Sequence, residues 1–257
     1  MTVTESTSVT RRTRSLPYHQ TDGDAAAWRE RTRLVLTPIA APSIVGFFGL
    51  GAGAFLLTAL WAGWYHSSNS ALLFAPFVIV FGGLVQMAAA TFAFRARDGV
   101  ATAVHATWGS LFVALGVVWI LAGTGAIAIA ATGATPEIGL WLGVVAVITL
   151  VAAIGAFPNS VPMSLTLFVL GVAAGLACGG FVAAMSGLVT AAGWVMLGAA
   201  VLCAYTAGAL MLDGAFRREV LPVHTTGSAG NGNGERRMGL TDVIEYPVGM
   251  PGAHAGQ

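Results

Sequence analysis

The feature that most limits how this chain can fold is a run of 61 consecutive residues, 34–94, with no Asp, Glu, Lys or Arg. About 20 apolar residues, rising ~1.5 Å each, cross the hydrocarbon core of a bilayer as a helix. Later in the chain, Glu137 is the only formal charge between residues 99 and 212. With 56% hydrophobic residues, 9% charged residues and a mean hydropathy of +0.78, the composition indicates a membrane protein.

The sequence divides into six apolar stretches of spanning length. They lie near residues 39–61, 71–94, 102–123, 138–157, 163–185 and 190–212. Polar or helix-breaking segments separate them, such as WYHSSNS after the first stretch and FPNSVP after the fourth. The run GTGAIAIAATG, residues 123–133, either extends the third helix or forms an apolar outer loop. The predicted fold class is therefore an all-α integral membrane protein, a six-transmembrane-helix bundle.

The positions of the arginines predict the orientation of this bundle. Six arginines precede the first span, two lie between the second and third spans, and four follow the sixth, whereas the three loops on the opposite side, after the first, third and fifth spans, have none. Because basic residues are retained on the cytoplasmic face, we expect a multi-pass protein of the plasma membrane with cytoplasmic N- and C-termini. The 12 basic and 11 acidic residues nearly balance, and no nucleic-acid partner is expected.

Three regions follow from this reading. Residues 1–36 are a cytoplasmic N-terminal tail, in which DAAAWRERTRLVL is either an interfacial helix or part of a solvated leader. Residues 37–223 form the six-helix transmembrane domain. Residues 224–257 are rich in glycine and are predicted to be a disordered cytoplasmic tail.

Small residues at helical spacing predict close packing between spans. Gly49 and Gly53 lie in the first span, and the fifth carries Gly171, Gly175 and Gly179 at four-residue steps. In a membrane, helices associate where small side chains let their backbones approach each other. We therefore expect these five glycines to lie at helix contacts.

Few polar side chains lie deep within the predicted spans. Gln86 either pairs with a group on another helix or lines a polar path, and His105 is either a satisfied core residue or a proton relay. Trp108 either anchors its helix or narrows a pore. There are no paired intramembrane carboxylates, no His and Cys cluster with metal spacing, and no nucleophile or phosphate-binding motif. We expect no enzyme activity, cofactor or metal.

Several sequence blocks, in order, resemble the acetate uptake transporter family, which includes the bacterial succinate-acetate permease and fungal acetate and ammonia transport proteins. The resemblance covers about residues 38–223 and rests on blocks similar to the family's first-helix motif, its Gly-Gly-x-x-Gln motif, its aromatic-Gly-Ser-Phe block and its last helix with a Val-Leu-Pro ending. These blocks are IAAPSIVGFFGLGAGAFLL (39–57), FGGLVQMAAA (81–90), WGSLF (108–112), AGW (192–194), Tyr205 and FRREVLPV (216–223).

The resemblance implies a six-helix protomer with its own solute path, assembled as a homohexamer. It implies a hydrophobic constriction formed by Phe48, Trp108 and Leu170, and it places Gln86 on the pathway. Further pathway residues assigned from the matching blocks are Ser110 and Tyr205. Pro42 and Ser43 are added on a physical argument, because the start of the first helix, where they lie, leaves backbone N–H groups free to donate. The first-helix motif is altered, because its leading Asn and Pro are replaced by Ile39 and Ala40.

The expected function is a membrane transporter or channel for acetate and similar small monocarboxylates, with succinate as a larger candidate. The path is passive or proton-coupled, and in the second case His105 is the candidate relay. The expected partners are the small carboxylate, the lipid bilayer and further copies of the chain. Two alternatives stay open: a pore for neutral solutes such as ammonia, urea or short amides, and a non-transporting membrane sensor or scaffold.

Overall fold

The computed structural model describes residues 41–65, 69–128, 135–216 and 218–223. The predicted tails, 1–36 and 224–257, lie outside these residues, as do positions 37–40 at the start of the predicted transmembrane domain. Within the described ranges there are six helices long and apolar enough to cross a membrane, each with 19 to 31 residues, and no strand. The prediction of an all-α, six-span fold is confirmed.

The six helices agree with the predicted spans to within a few residues at most ends. We number them α1 to α6: α1 Ser43–Trp61, α2 Ser70–Arg95, α3 Gly99–Gly123, α4 Pro136–Ala156, α5 Val161–Val182 and α6 Ser186–Phe216. Helix α3 ends at Gly123 and is followed by a turn with Gly125 at φ +77°, a backbone angle that favours glycine. The third helix therefore does not continue through residues 123–133, of which 129–133 lie outside the described residues.

Polar side chains begin three of the helices. Asp98 accepts a hydrogen bond from the backbone N–H of Ala101 at the start of α3. Thr135 caps α4 in the same way, and Ser160 caps α5. Such caps satisfy N–H groups that a first helical turn leaves unpaired, which explains why the helices begin beside the polar loops.

Helix α2 is not a regular helix, contrary to the simple span predicted. It contains an α-helical segment Ser70–Phe77, a π-helical segment Val78–Leu84 and a second α-helical segment Val85–Arg95. Pro76 has no N–H with which to continue the α-helical hydrogen bonds, and the wider π turn follows it directly. Segments of π-helix are often found at functional sites, and Gln86 lies in the first turn after this one.

Glycines make the contacts between helices close, as predicted, with one exception. An added Cβ would lie 2.6 Å from the carbonyl oxygen of Phe81 at Gly49, 2.5 Å from the ring of Phe112 at Gly53, and 2.8 Å from Leu150 at Gly171. At Gly179 the nearest atom would be 3.2 Å away, on Leu188. Gly175 is exposed, and its nearest neighbour would be 3.9 Å away.

The glycine strip of α5 therefore does not face one partner along its length. Four-residue steps advance about 400° around a helix, so each successive glycine is turned by about 40°. Gly171 consequently faces α4, whereas the nearest neighbour of Gly179 is on α6. The three glycines therefore meet their neighbours at different distances, and Gly175 makes the loosest contact, with Ala146 of α4.

The outer surface of the bundle is apolar, as a lipid-facing surface requires. Large hydrophobic side chains are more than two-thirds exposed at several positions, among them Leu73, Phe94 and Ile154. In water, such a surface would promote aggregation. In a bilayer it needs no polar cover, because the helices satisfy their own backbone hydrogen bonds.

Candidate functional site

Eight polar residues are buried in the described part of the chain. Seven of them have side chains that carry no charge, and the eighth, His105, has an imidazole ring that can take up a proton. The eight residues are Ser43, Thr58, Ser70, Gln86, His105, Thr149, Thr166 and Thr206. Within the described ranges, no group of three His, Cys, Asp or Glu side chains is placed to hold a metal ion. The interior therefore offers hydrogen-bonding dipoles, which interact more weakly with an anion than a fixed cation does.

Gln86 and His105 form a polar contact between α2 and α3, and both are fully buried. The amide nitrogen of Gln86 donates to the carbonyl oxygen of Gly82, one turn earlier in α2. Its amide oxygen, Oε1, lies 3.4 Å from Nδ1 of His105 in α3. Since the carbonyl of Gly82 can only accept, it fixes which end of the amide faces His105, and Nδ1 is the donor in this long hydrogen bond.

The other imidazole nitrogen of His105 has no such partner. Of the buried side-chain nitrogen and oxygen atoms in the described residues, Nε2 of His105 is the one without a hydrogen bond. The ring lies against α1, where an added Cβ at Gly46 would be 2.4 Å from Nε2. The ring of Phe47 packs edge-on against it, with centroids 5.2 Å apart. A glycine at position 46 is thus what admits the histidine ring.

Trp108 and Leu170, the two constriction residues expected on α3 and α5, are both 0% exposed. Both belong to one buried cluster that runs through the bundle. Nε1 of Trp108 donates to the hydroxyl oxygen of Thr149 on α4 at 3.0 Å, and its ring lies 5.7 Å from that of Phe112. Like Gln86, Trp108 and Leu170 therefore have no surface open to solvent in this closed packing.

The aromatic residue of α1 that faces this interior is Phe47, not Phe48. Phe47 is fully buried beside His105. Phe48 is half-buried and packs against the same buried cluster. Both residues line a groove of about 680 Å³, together with Phe55 and Phe81. Adjacent helix residues point about 100° apart, so a shift of one residue in register exchanges a fully buried aromatic ring for a half-buried one.

Ser110 and Tyr205 do not join the buried cluster either. Ser110 is exposed, and its hydroxyl donates to the carbonyl oxygen of Thr107. It follows Trp108 by two positions, about 200° around the helix, and so lies on the opposite side. Tyr205 is half-buried, and its hydroxyl donates to the carbonyl oxygen of Pro222 at 2.9 Å, which ties the segment after α6 back onto that helix.

At the start of α1, some of the backbone N–H groups that were expected to be free donors are already hydrogen-bonded. Ser43 is buried and is the first residue of the helix, and Pro42 is half-buried. The N–H of Ile44 donates to the carbonyl oxygen of Ala41, and the N–H of Gly46 donates to that of Pro42, each at 3.1 Å. Part of the predicted donor set is therefore used within the helix start itself.

Four residues of the buried interior were not singled out from the sequence: Phe47, which packs against His105, and the hydrogen-bonded residues Thr149, Thr166 and Thr206. The hydroxyls of Thr166 on α5 and Thr206 on α6 lie 3.0 Å apart. Because the Thr166 hydroxyl donates to the carbonyl oxygen of Pro162, Thr206 is the donor between the two. The sequence feature that could have identified these threonines is a hydroxyl within an otherwise apolar span, where it needs a hydrogen-bond partner.

Comparison with known proteins identifies relatives of this fold. The sequence profile described as the GPR1/FUN34/yaaH family matches residues 30–223. The solved structure of the bacterial acetate channel SatP superposes with a TM-score of 0.66 at 22% sequence identity, over 73% of this chain and 100% of that one. No curated protein matches the sequence. At this identity, the likeness to SatP shows that the two proteins share a fold.

Proposed function

The chain belongs to the GPR1/FUN34/yaaH family, and we propose that it passes acetate and similar small monocarboxylates across a membrane. The observation that carries this proposal is an uncharged amide and imidazole pair, Gln86 with His105, buried at the centre of a fold shared with an acetate channel. A carboxylate in hydrocarbon loses its hydration at a high free-energy cost. Amide, hydroxyl and helix-end N–H dipoles replace part of that hydration.

The proposed path runs through Gln86, Trp108 and Leu170, with Phe47 as the aromatic residue from α1. One amide hydrogen of Gln86 is used by Gly82, which leaves the second for a passing carboxyl group. No buried Lys or Arg occurs in the described residues, so binding is weak and release is easy. We leave Ser110, Tyr205 and Phe48 out of this path because of where their side chains lie.

We propose that the path is passive rather than proton-coupled. A proton relay needs a group that exchanges protons on each side of the histidine. Nδ1 of His105 faces an amide, which does not titrate, and Nε2 has no partner among the described residues. A proton taken up by this ring would have no next carrier among the side chains of the described residues.

Orientation and assembly are proposed from the sequence and from the shape of the surface. The arginine distribution supports cytoplasmic termini. A place in the plasma membrane is part of the same proposal. Two features of the outer surface suit contact between copies in a homohexamer: the exposed Gly175 and the apolar groove lined by Phe48, Phe55 and Phe81. Small residues and apolar grooves allow helices from neighbouring protomers to approach closely.

Uptake of labelled acetate into proteoliposomes tests the proposal, with protein-free liposomes as the background because undissociated acid crosses lipid unaided. We expect uptake above background for the wild type and a loss of about tenfold for Gln86→Leu, the factor that corresponds to one lost hydrogen bond. Thr58→Val is the matched control, since that buried hydroxyl bonds only to Ala54 in its own helix.

Three outcomes would oppose the proposal. Absence of acetate flux in the wild type would favour the sensor or scaffold. Efficient competition of acetate uptake by urea, ammonia or short amides would favour the pore for neutral solutes. The absence of buried Lys and Arg among the described residues is also compatible with such a pore. Equal uptake in the wild type and in Gln86→Leu would remove the amide from the path.

A further inference from the structure

The indole of Trp108 is the largest side chain in the closed part of the interior, and its N–H has a specific partner on another helix. Trp108 is 0% exposed and Thr149 is 1% exposed. Nε1 of Trp108 donates to Oγ1 of Thr149 at 3.0 Å. A buried indole N–H without an acceptor is costly, and in a bilayer no water is at hand to replace a lost partner.

The hydroxyl of Thr149 is itself oriented, which makes this hydrogen bond directional. Thr149 donates its own hydrogen to the carbonyl oxygen of Val145, one turn earlier in α4, at 2.6 Å. The lone pairs of Oγ1 are therefore what remain to meet the indole. A β-branched side chain has few rotamers in a helix, so Thr149 acts as a fixed acceptor.

Packing holds the indole from a second side. The ring of Phe112 lies 5.7 Å from that of Trp108, with the planes tilted by 45°. Phe112 occupies the space that Gly53 leaves free on α1, where an added Cβ would be 2.5 Å from the ring. If the indole swung out of this position, the N–H of Trp108 would lose its acceptor within an apolar interior.

We propose that Thr149 is a positioning residue that sets the size limit of the path by holding the indole of Trp108 across it. This inference rests on the proposed function, in which Trp108 stands at the constriction. With the hydrogen bond in place, the ring yields only to the smallest carboxylic acids. Without this hydrogen bond, the ring moves aside more readily, and the uptake of longer acids increases more than the uptake of acetate.

The ratio of butyrate uptake to acetate uptake in proteoliposomes tests this role, with Thr149→Val as the variant. Valine has nearly the shape of threonine but cannot accept a hydrogen bond. We expect the ratio to rise about tenfold, the factor for one lost hydrogen bond. Thr149→Ser keeps the acceptor and should restore the wild-type ratio. Thr58→Val removes an equally buried hydroxyl away from Trp108 and should leave the ratio unchanged.

A second measurement reports the hydrogen bond itself, independently of transport. In protein labelled with ¹⁵N-tryptophan, the indole resonance of Trp108 is assigned by its disappearance in Trp108→Phe. We expect this resonance to move upfield in Thr149→Val, because the N–H has lost its acceptor. A moved resonance together with an unchanged uptake ratio would overturn the proposal, since the bond would then only stabilise the fold. An unmoved resonance would overturn it by showing that the bond is not made.

If the proposed function itself is wrong, the experiments give results that differ from those expected when only the role of Thr149 is wrong. Wild-type protein that takes up neither acid, yet shows the Trp108 resonance and its shift in Thr149→Val, has the hydrogen bond but no path. That result would overturn the proposed function, and the size limit with it. Acetate uptake with an unchanged ratio would overturn only the role of Thr149.

Discussion

Nδ1 of His105 faces Oε1 of Gln86 across 3.4 Å, and this long hydrogen bond joins α3 to α2 where both side chains are fully buried. The amide cannot turn over freely, because its nitrogen donates to the carbonyl oxygen of Gly82. The histidine cannot move towards α1, because its ring already lies against Gly46. Each residue thus holds the other in position.

This mutual dependence predicts that the two residues are coupled in stability. Gln86→Leu leaves both ring nitrogens of His105 without a partner, and His105→Phe leaves Oε1 of Gln86 without its donor. We expect each single change to cost about 1–3 kcal/mol. The double variant removes both groups together and should cost less than the sum of the single changes, by about 1 kcal/mol. Thermal unfolding of the four proteins in detergent measures this difference.

Strict additivity in this double-mutant cycle would contradict the coupling and would indicate that 3.4 Å is too long for an effective bond. A matched comparison uses Gln86→Leu with Thr58→Val. The Thr58 hydroxyl bonds only within its own helix, and these two changes should be additive.

A passive path predicts that His105 is not needed for proton movement. We expect His105→Gln, which keeps a donor for Oε1 of Gln86, to leave the number of protons moved per acetate unchanged. The measurement follows the pH inside proteoliposomes with an entrapped dye while labelled acetate is taken up. Loss of acetate-linked acidification in this variant alone, with acetate uptake retained, would establish His105 as the relay and exclude the passive mechanism.

The six spans were predictable because the physics of a bilayer acts on long stretches of sequence. A helix of about 20 residues without charge is needed to cross it, and the charged or polar residues Asp98, Thr135 and Ser160 lie where helices begin. The π-helical segment of α2 was not predictable in this way. Its residues are as apolar as those of an ordinary helix, and Pro76 alone does not determine that a π-helical turn follows.

Side-chain contacts of the candidate site were harder to predict than its spans. Gln86 and His105 were both recognised as intramembrane polar residues, but only the folded protein shows that they face each other. Trp108 and Thr149 are 41 positions apart in sequence, and the periodicity of α3 and α4 does not show which residues meet. The choice between Phe47 and Phe48 depends on a turn of about 100°, finer than the matching of motifs resolves.

Close contact at Gly53 predicts a stability cost for even one added methyl group. Gly53→Ala would place a Cβ 2.5 Å from the ring of Phe112, and overpacking of this kind costs about 1–3 kcal/mol. Gly208 in α6 is the matched control, since an added Cβ there would meet nothing within 4 Å. Gly208→Ala should be neutral or stabilising by up to about 1 kcal/mol, because alanine favours the helix.

Unfolding midpoints of the two alanine variants in detergent provide the measurement. Equal midpoints would show that α1 and α3 are more loosely packed at Gly53 than the 2.5 Å distance requires. Because Phe112 supports Trp108, a displaced Phe112 should also raise the ratio of butyrate to acetate uptake in Gly53→Ala. Gly208→Ala should leave this ratio as in the wild type.

The segment after α6 is tied back onto the bundle by two hydrogen bonds and is held by a third within itself. The Tyr205 hydroxyl donates to the carbonyl oxygen of Pro222, and the Ser160 hydroxyl donates to that of Val223. The N–H of Val223 donates to the carboxylate of Glu219, and Val223 itself is buried. Tyr205 therefore has a structural partner outside the polar core of the bundle.

Tyr205→Phe should loosen this segment without affecting transport. We expect faster amide hydrogen exchange at residues 219–223, and a stability loss of roughly 1 kcal/mol or less because the bond is partly exposed to solvent. Ser160→Ala removes the other anchor and should produce the same pattern of exchange. Acetate uptake should equal that of the wild type in both variants. If Tyr205→Phe lowered uptake while Ser160→Ala did not, the phenol hydroxyl would lie on the path, as the family resemblance implied.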